Sequence, residues 1–270
     1  MITHDTTAMI LAAGLGTRLQ ALTQDKPKAL VPLNGKPLLQ HCIENLIANS
    51  FHHIVINVHH FGEQIIDFVE KHHFNAEIQI SDERDLLMDT GGGIVKASPL
   101  FNKSNAVLVH NVDIISDVNL YELSQEFVAS YDDAWLLTQD RETNRKLLFD
   151  TEDQLIGWRN KADGSFKWVY DSFGKYQEMA FSGLHFFRSD LFADFEVKPQ
   201  SVIDLYLKLA RQNRIISKPI QPSYWFDLGK PEQIQAAESF LITRPCHSED
   251  FEGTDTLTLQ ARYDMPSKFE

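Results

Sequence analysis

Leu11-Ala12-Ala13-Gly14-Leu15-Gly16-Thr17-Arg18 puts a glycine-bearing loop directly behind a short apolar run, and Lys26-Pro27-Lys28 follows closely. The run Ala8 to Ala13 reads as a buried strand. Small residues at its exit let backbone N–H groups approach a bound polyphosphate. Arg18 offers a planar donor fork suited to two phosphate oxygens, and Lys28 a compact charge on a long stem. Pro27 restricts the backbone just ahead of that lysine. Two better-known phosphate motifs are excluded. The GxxxxGK[ST] loop is absent, and the third glycine of a dinucleotide GxGxxG fingerprint is replaced by Leu19.

The rest of the chain alternates strand and helix patterns. Helices are expected over Pro37 to Asn49, Gly62 to His72, Leu120 to Tyr131, Val202 to Gln212 and Pro231 to Thr243. Strands are expected at Ile54 to Val58, Glu77 to Ser81, Ala106 to Val109, Ala134 to Thr138 and Ile215 to Pro219. Gly91, Gly92 and Gly93 read as a helix entry. Such alternation predicts an α/β fold, a mostly parallel sheet with helices on both faces, whose ligands bind at the carboxyl ends of the strands. Between about Asp140 and Phe187 short alternating runs replace this pattern. They predict a small antiparallel excursion, built as a lid or wall.

The chain has 270 residues and a formal net charge of −13, which disfavours general nucleic-acid binding. A small anionic substrate stays open, because local cations and helix N-termini act at close range. Cys42 and Cys246 form no CxxC pair, so a disulfide framework is not expected. The apolar run Met9 to Ala13 is too short for a signal core or a membrane span, and a cytoplasmic protein is expected.

LAAGLGTR with KPK resembles the signature of the sugar-nucleotide pyrophosphorylases, nucleotidyltransferases with one Rossmann-like, glycosyltransferase-A-like catalytic domain. The likeness continues at Pro32-Leu33-Asn34-Gly35-Lys36-Pro37-Leu38, Thr90-Gly91-Gly92, Asn111-Val112-Asp113, Phe181-Ser182-Gly183 and Trp225-Phe226-Asp227-Leu228-Gly229. It spans about Ala8 to Phe240. It is nearest to the short bacterial form similar to N-acetylmuramate-1-phosphate uridylyltransferases and to mannose- or heptose-1-phosphate guanylyltransferases. The implied layout is a catalytic domain over residues 1–243, with 140–187 as its sugar-side insertion, and a polar tail over 244–270.

The resemblance implies transfer of a nucleoside monophosphate from a nucleoside triphosphate, UTP favoured, to a sugar 1-phosphate, with release of pyrophosphate. Lys28 would stabilise the transferred group and Arg18 would bind the departing pyrophosphate. Asp113 and Asp227 would share one Mg²⁺. Leu11, Ala12, Ala13, Gly14, Gly16 and Thr17 would cradle the nucleotide, with Thr90, Gly91, Gly92 and Asn111 beside its base and sugar. Glu178, Ser182 and Gly183 would face the acceptor. Val112 departs from the family's usual Gly-Asp, and the usual Glu-Lys-Pro wall is not recognisable; Arg159-Asn160-Lys161 lies near its place. A catalytically inactive nucleotide-sugar sensor, a GTP- or CTP-using relative and a non-sugar phosphate acceptor stay open, as does the oligomeric state. The adjacent histidine pairs at 52, 59 and 72 are poorly suited to chelation, because neighbours on a strand point to opposite faces.

Overall fold

The computed structural model describes residues 6–101, 104–171 and 174–243, with the backbone alone at Gln20. The tail over 244–270, with Cys246, lies outside the described residues.

β1 (Thr6–Leu11) leaves the core through the glycine loop and two short 3-10 turns, Thr17–Thr23 and Lys28–Leu30. A small hairpin of β2 (Pro32–Leu33) and β3 (Lys36–Pro37) leads into α1 (Leu38–Ala48). Three strand–helix units follow: β4 (His53–Val58) with α2 (Gly62–Lys71), β5 (Glu77–Asp82) with α3 (Asp89–Ala97), and β6 (Ala106–Asn111) with β7 (Ile114–Ser116) and α4 (Leu120–Ala129). β8 (Ala134–Gln139) then enters β9 (Arg145–Phe149), β10 (Leu155–Asn160) and β11 (Ser165–Trp168). The chain returns through the long β12 (Gln177–Arg188) to α5 (Val202–Leu209), β13 (Ile215–Pro219), β14 (Trp225–Asp227) and α6 (Pro231–Thr243).

β1 pairs in parallel with β4 and β6, β4 with β5, and β8 with β13. β12 runs antiparallel to β6, β8 and β9, so the antiparallel excursion is a continuation of the main sheet. The strand path reads β11-β10-β9-β12-β6-β1-β4-β5. Alternate residues of β1 serve opposite faces, as the pleat requires. Ala8 and Ile10 join Cys42, Ile43 and Leu46 of α1 and Phe127 of α4 on one side. Met9 joins Ile94 and Val95 of α3 with Leu205 and Tyr206 of α5 on the other. α4 and α5 are capped by Asn119 and Ser201, whose side chains accept from Glu122 N and Ile203 N; α6 opens on Pro231.

The expected helices and strands are present, with ends shifted by a few residues. One boundary differs in kind. α3 already starts at Asp89, so Gly91 to Gly93 lie inside the helix. Among the described residues, no helix is long and apolar enough to cross a membrane.

Candidate active site

The loop after β1 is held from beneath by a buried polar relay. Ala12 N and Ala13 N donate to Asn57 Oδ1, at 2.7 and 3.3 Å. Asn57 Nδ2 donates to Glu83 Oε1 at 2.7 Å, and Glu83 Oε2 accepts from Met88 N at 3.2 Å. Glu83 is fully buried, and burial pushes its carboxyl above the ordinary glutamate value. The amides of Ala12 and Ala13 are therefore engaged by protein. The open side of the loop begins at Gly14, where an added Cβ would meet nothing within 4 Å. Gly16 has φ +65, and its Cβ position lies 3.1 Å from Lys28 Cβ, so the turn that delivers Lys28 requires glycine.

Lys28 is buried at the start of its 3-10 turn, and its ammonium forms an ion pair with Asp113 Oδ2. Asp113 lies in the turn between β6 and β7. Its carbonyl accepts from Leu228 N at 2.8 Å, which fastens the end of β14 beside it. Asp227, opposite Ile114 in the register, accepts from Gly229 N at 3.0 Å. A Cβ on Gly229 would come within 2.9 Å of both Arg18 Nη2 and Asp227 Oδ1. The fold thus gathers Arg18, Lys28, Asp113 and Asp227, four residues distant in the chain, at the carboxyl ends of β1 and β6.

A cleft of about 400 Å³ opens there. Leu11 to Arg18, Lys28, Thr90, Asn111, Val112, Asp113 and Gly229 line it. Asp227, Gly91, Gly92, Glu178, Ser182 and Gly183 are not among the residues lining it. Gly91 and Gly92 face another partner. Cβ atoms there would meet Ser201 O at 2.8 Å and Lys198 O at 2.3 Å, and both amides donate to Gln200 O. These glycines let α3 lie against the chain entering α5. Thr90 lines the cleft while its hydroxyl accepts from Val202 N at 3.0 Å. Val112 is 4% exposed and packs into the core as well as lining the cleft.

Of the residues expected to face the acceptor, Ser182 and Gly183 occupy a bulge in β12, where the register to β8 shifts between Phe181 and His185. Gly183 has φ +83, and its missing side chain leaves room for Asn111 Nδ2, 3.0 Å from the Cβ position. The Ser182 hydroxyl is buried and accepts from Leu184 N at 3.3 Å. Glu178 pairs with Arg159 at 2.6 Å and Lys161 at 3.1 Å. Burial raises its pKa, but the hydrogen bonds and charges of those two partners outweigh it and hold the carboxyl below the ordinary value.

Sequence reasoning missed Leu15, Asn57, Leu87 and Asp89 in the lining. For Asn57 the signal was present: an amide inside the apolar run IVINV at the carboxyl end of β4. The histidine pairs take local partners; His59 Nδ1 contacts Glu83 O at 2.7 Å and His53 pairs with Glu77 at 3.1 Å.

The donor set suits a hard divalent cation. Among the described residues no group of three or more His, Cys, Asp or Glu side chains could hold a metal by itself. Mg²⁺ does not need one, because it accepts one or two carboxylates and fills its remaining positions with water and substrate phosphate oxygens. Asp113 and Asp227 offer two such carboxylates.

A family model described as nucleotidyl transferase matches residues 7–244. The chain belongs to the nucleotidyltransferase family. This nucleotidyltransferase is 34% identical over 247 residues to the N-acetylmuramate alpha-1-phosphate uridylyltransferase of Caulobacter vibrioides, covering 87% of this chain and 96% of that one. It is 26% identical over 227 residues to the D-glycero-alpha-D-manno-heptose 1-phosphate guanylyltransferase of Campylobacter jejuni, covering 83% and 95%. Its fold is that of the crystal structure of HddC from Yersinia pseudotuberculosis complexed with GMP-PN, with a TM-score of 0.69 at 21% identity over 87% of this chain and 99% of the other. The chain is therefore an enzyme of the nucleotidyltransferase type, not an unrelated α/β binding domain.

Proposed function

We propose that this enzyme transfers a uridylyl group from UTP to a sugar 1-phosphate, releasing pyrophosphate. The observation that carries the reading is the Lys28–Asp113 pair in a cleft that Arg18 shares, with the Asp227 strand clasped to Asp113. Uracil is read from the relative at 34% identity, whose name specifies uridylyl transfer.

The reaction is an in-line displacement. An acceptor phosphate oxygen bonds to the α-phosphorus while the bond to the β-phosphate bridge breaks, its electron pair leaving with pyrophosphate. A phosphate monoester has a second pKa of about 6, so the nucleophile is already ionised at neutral pH and no general base is needed. What the site has to supply is charge compensation and alignment of two anions. Lys28, buried and guided by Gly16, sets a positive charge between the reacting phosphates. Arg18 at the loop holds the departing pyrophosphate. Asp113 and Asp227 would hold Mg²⁺, which when bound neutralises phosphate charge.

Two measurements test the reading. Pyrophosphate release from UTP and N-acetylmuramate 1-phosphate should depend on both substrates and vanish in Lys28→Ala. A thermal-shift series with the four ribonucleoside triphosphates and Mg²⁺ should give its largest shift with UTP, since the tightest binder stabilises most. A larger shift with GTP would replace the base, and release unchanged in Lys28→Ala would remove the mechanism.

A further inference from the structure

Each end of the relay beneath the donor loop is a backbone N–H, and a backbone N–H can only donate. At one end Ala12 N and Ala13 N donate to Asn57 Oδ1, at 2.7 and 3.3 Å. At the other, Met88 N donates to Glu83 Oε2 at 3.2 Å. Between them Asn57 Nδ2 donates to Glu83 Oε1 at 2.7 Å. Both side chains are buried. Gly93 makes room for their contact, since a Cβ there would lie 2.7 Å from Glu83 Oε1 and 2.9 Å from Asn57 Nδ2. The main chain of Glu83 is held as well: its N–H donates to Val58 O at 2.8 Å, and its carbonyl meets His59 Nδ1 at 2.7 Å.

A row of hydrogen bonds with donors at both ends needs one member that only accepts. A carboxamide has an acceptor end and a donor end, so two carboxamides in series would leave an NH2 group facing an N–H. A carboxylate accepts with both oxygens. Glu83 supplies that group, and it fixes the Asn57 amide the one way round that gives its oxygen to the loop. Turned over, Asn57 would aim its NH2 at the N–H groups of Ala12 and Ala13 and leave buried donors unpaired. The second Glu83 oxygen reaches the other wall of the cleft. Met88 stands between Leu87 and Asp89, which line the cleft with the loop and Asn57. One carboxylate therefore ties the loop after β1 to the segment entering α3.

We propose that Glu83 is a positioning residue for the nucleoside triphosphate: its carboxylate orients the Asn57 amide, and through it the donor loop, without touching the substrate. The inference rests on the reading of the cleft as a nucleotide site. Burial works against the ionised form, while the hydrogen bonds from Asn57 and Met88 and the charges of Lys96 and His59 support it. The competing role is plain support of the fold, in which a neutral side chain of the same shape would serve as well.

Exchanging the two polar groups separates the roles. In the double variant Asn57→Asp/Glu83→Gln the acceptor-only group moves to the loop end. The new carboxylate accepts from the loop amides and from the new NH2, and the new amide oxygen accepts from Met88 N, so every donor is paired again. Glu83→Gln alone leaves an NH2 against an N–H, and Asn57→Asp alone sets two carboxylates face to face. Wild type, both single variants and the exchange are titrated calorimetrically in Mg²⁺ with the ribonucleoside triphosphate that wild type binds most tightly, UTP on the present reading. Glu83→Gln should weaken it by about tenfold, the scale of one hydrogen bond to a charged group. In turnover the UTP KM should rise and the sugar 1-phosphate KM should not. The exchange should bind UTP more tightly than either single variant. Wild-type affinity in Glu83→Gln overturns the proposal. So does an equal rise in both KM values, or an exchange that fails to fold or binds no better than the single variants. If Glu83→Gln does not fold, the exchange against Asn57→Asp decides alone. Wild type binding none of the four ribonucleoside triphosphates would instead sink the nucleotide reading and this inference with it.

Discussion

Asp227 Oδ1 and Arg18 Nη2 each lie 2.9 Å from where a Gly229 side chain would begin. A methyl group there has to displace one or both. Gly229→Ala should therefore lower kcat by about tenfold or more, because sub-ångström misplacement of reacting groups is costly, while the urea midpoint barely moves. Asp227→Asn should fold like wild type and lose most turnover in Mg²⁺; wild-type rates would refute the carboxylate's role. Two histidines give a different signal. His110 and His185 are fully buried, and burial lowers their pKa values to about 4 and about 3 from 6.5; at His110 a hydrogen bond to Asn111 O opposes the shift. Their folded values lie below the unfolded one, so the stability from keeping them neutral is complete above pH 6.5 and is lost as pH falls toward those values. Thermal melts from pH 7 to pH 4 should show it. Both ring nitrogens of His185 lack a partner among the described residues. His185→Phe should then flatten part of the pH slope and raise stability at neutral pH by about 1 kcal/mol; a steeper slope would contradict this.

Helix α3 shows how a motif and its structural cause can diverge. Thr90-Gly91-Gly92 was legible as a unit in the sequence, and Thr90 does line the cleft. The two glycines serve a packing contact, with Lys198 O only 2.3 Å from a Cβ on Gly92. Because that oxygen is backbone, it cannot swing aside. Gly92→Ala should destabilise the fold by about 2 kcal/mol, overpacking outweighing the better helix propensity. Equilibrium urea unfolding measures it. If Gly92→Ala were as stable as wild type but bound UTP poorly, the glycine would be a nucleotide contact instead. The β12 bulge is similar. Phe181-Ser182-Gly183 reads as a motif, yet only the paired strands reveal that Gly183 makes room for Asn111 and that the Ser182 hydroxyl is buried.

Across the whole molecule, β12 joins the antiparallel strands β9 to β11 to the parallel sheet through pairs with β6, β8 and β9. A wall built that way shares its core with the rest, and Phe149, Leu155 and Val169 pack with Met9, Ile94 and Tyr206. Urea unfolding should therefore be one transition, with tryptophan fluorescence and far-ultraviolet circular dichroism coincident; an early fluorescence step would mark a separable lid. The order of strands and helices, and the glycine loop, Arg18 and Lys28 that line the cleft, were legible because local pattern encodes them: pleat and helix periods, small residues at a strand exit, charges set behind them. What Asn57, Glu83 and Gly229 do for the site was not legible. Their roles exist only once β4, β5 and β14 bring together atoms far apart in the chain, since hydrogen bonds, ion pairs and close contacts depend on distance in space rather than on distance in sequence.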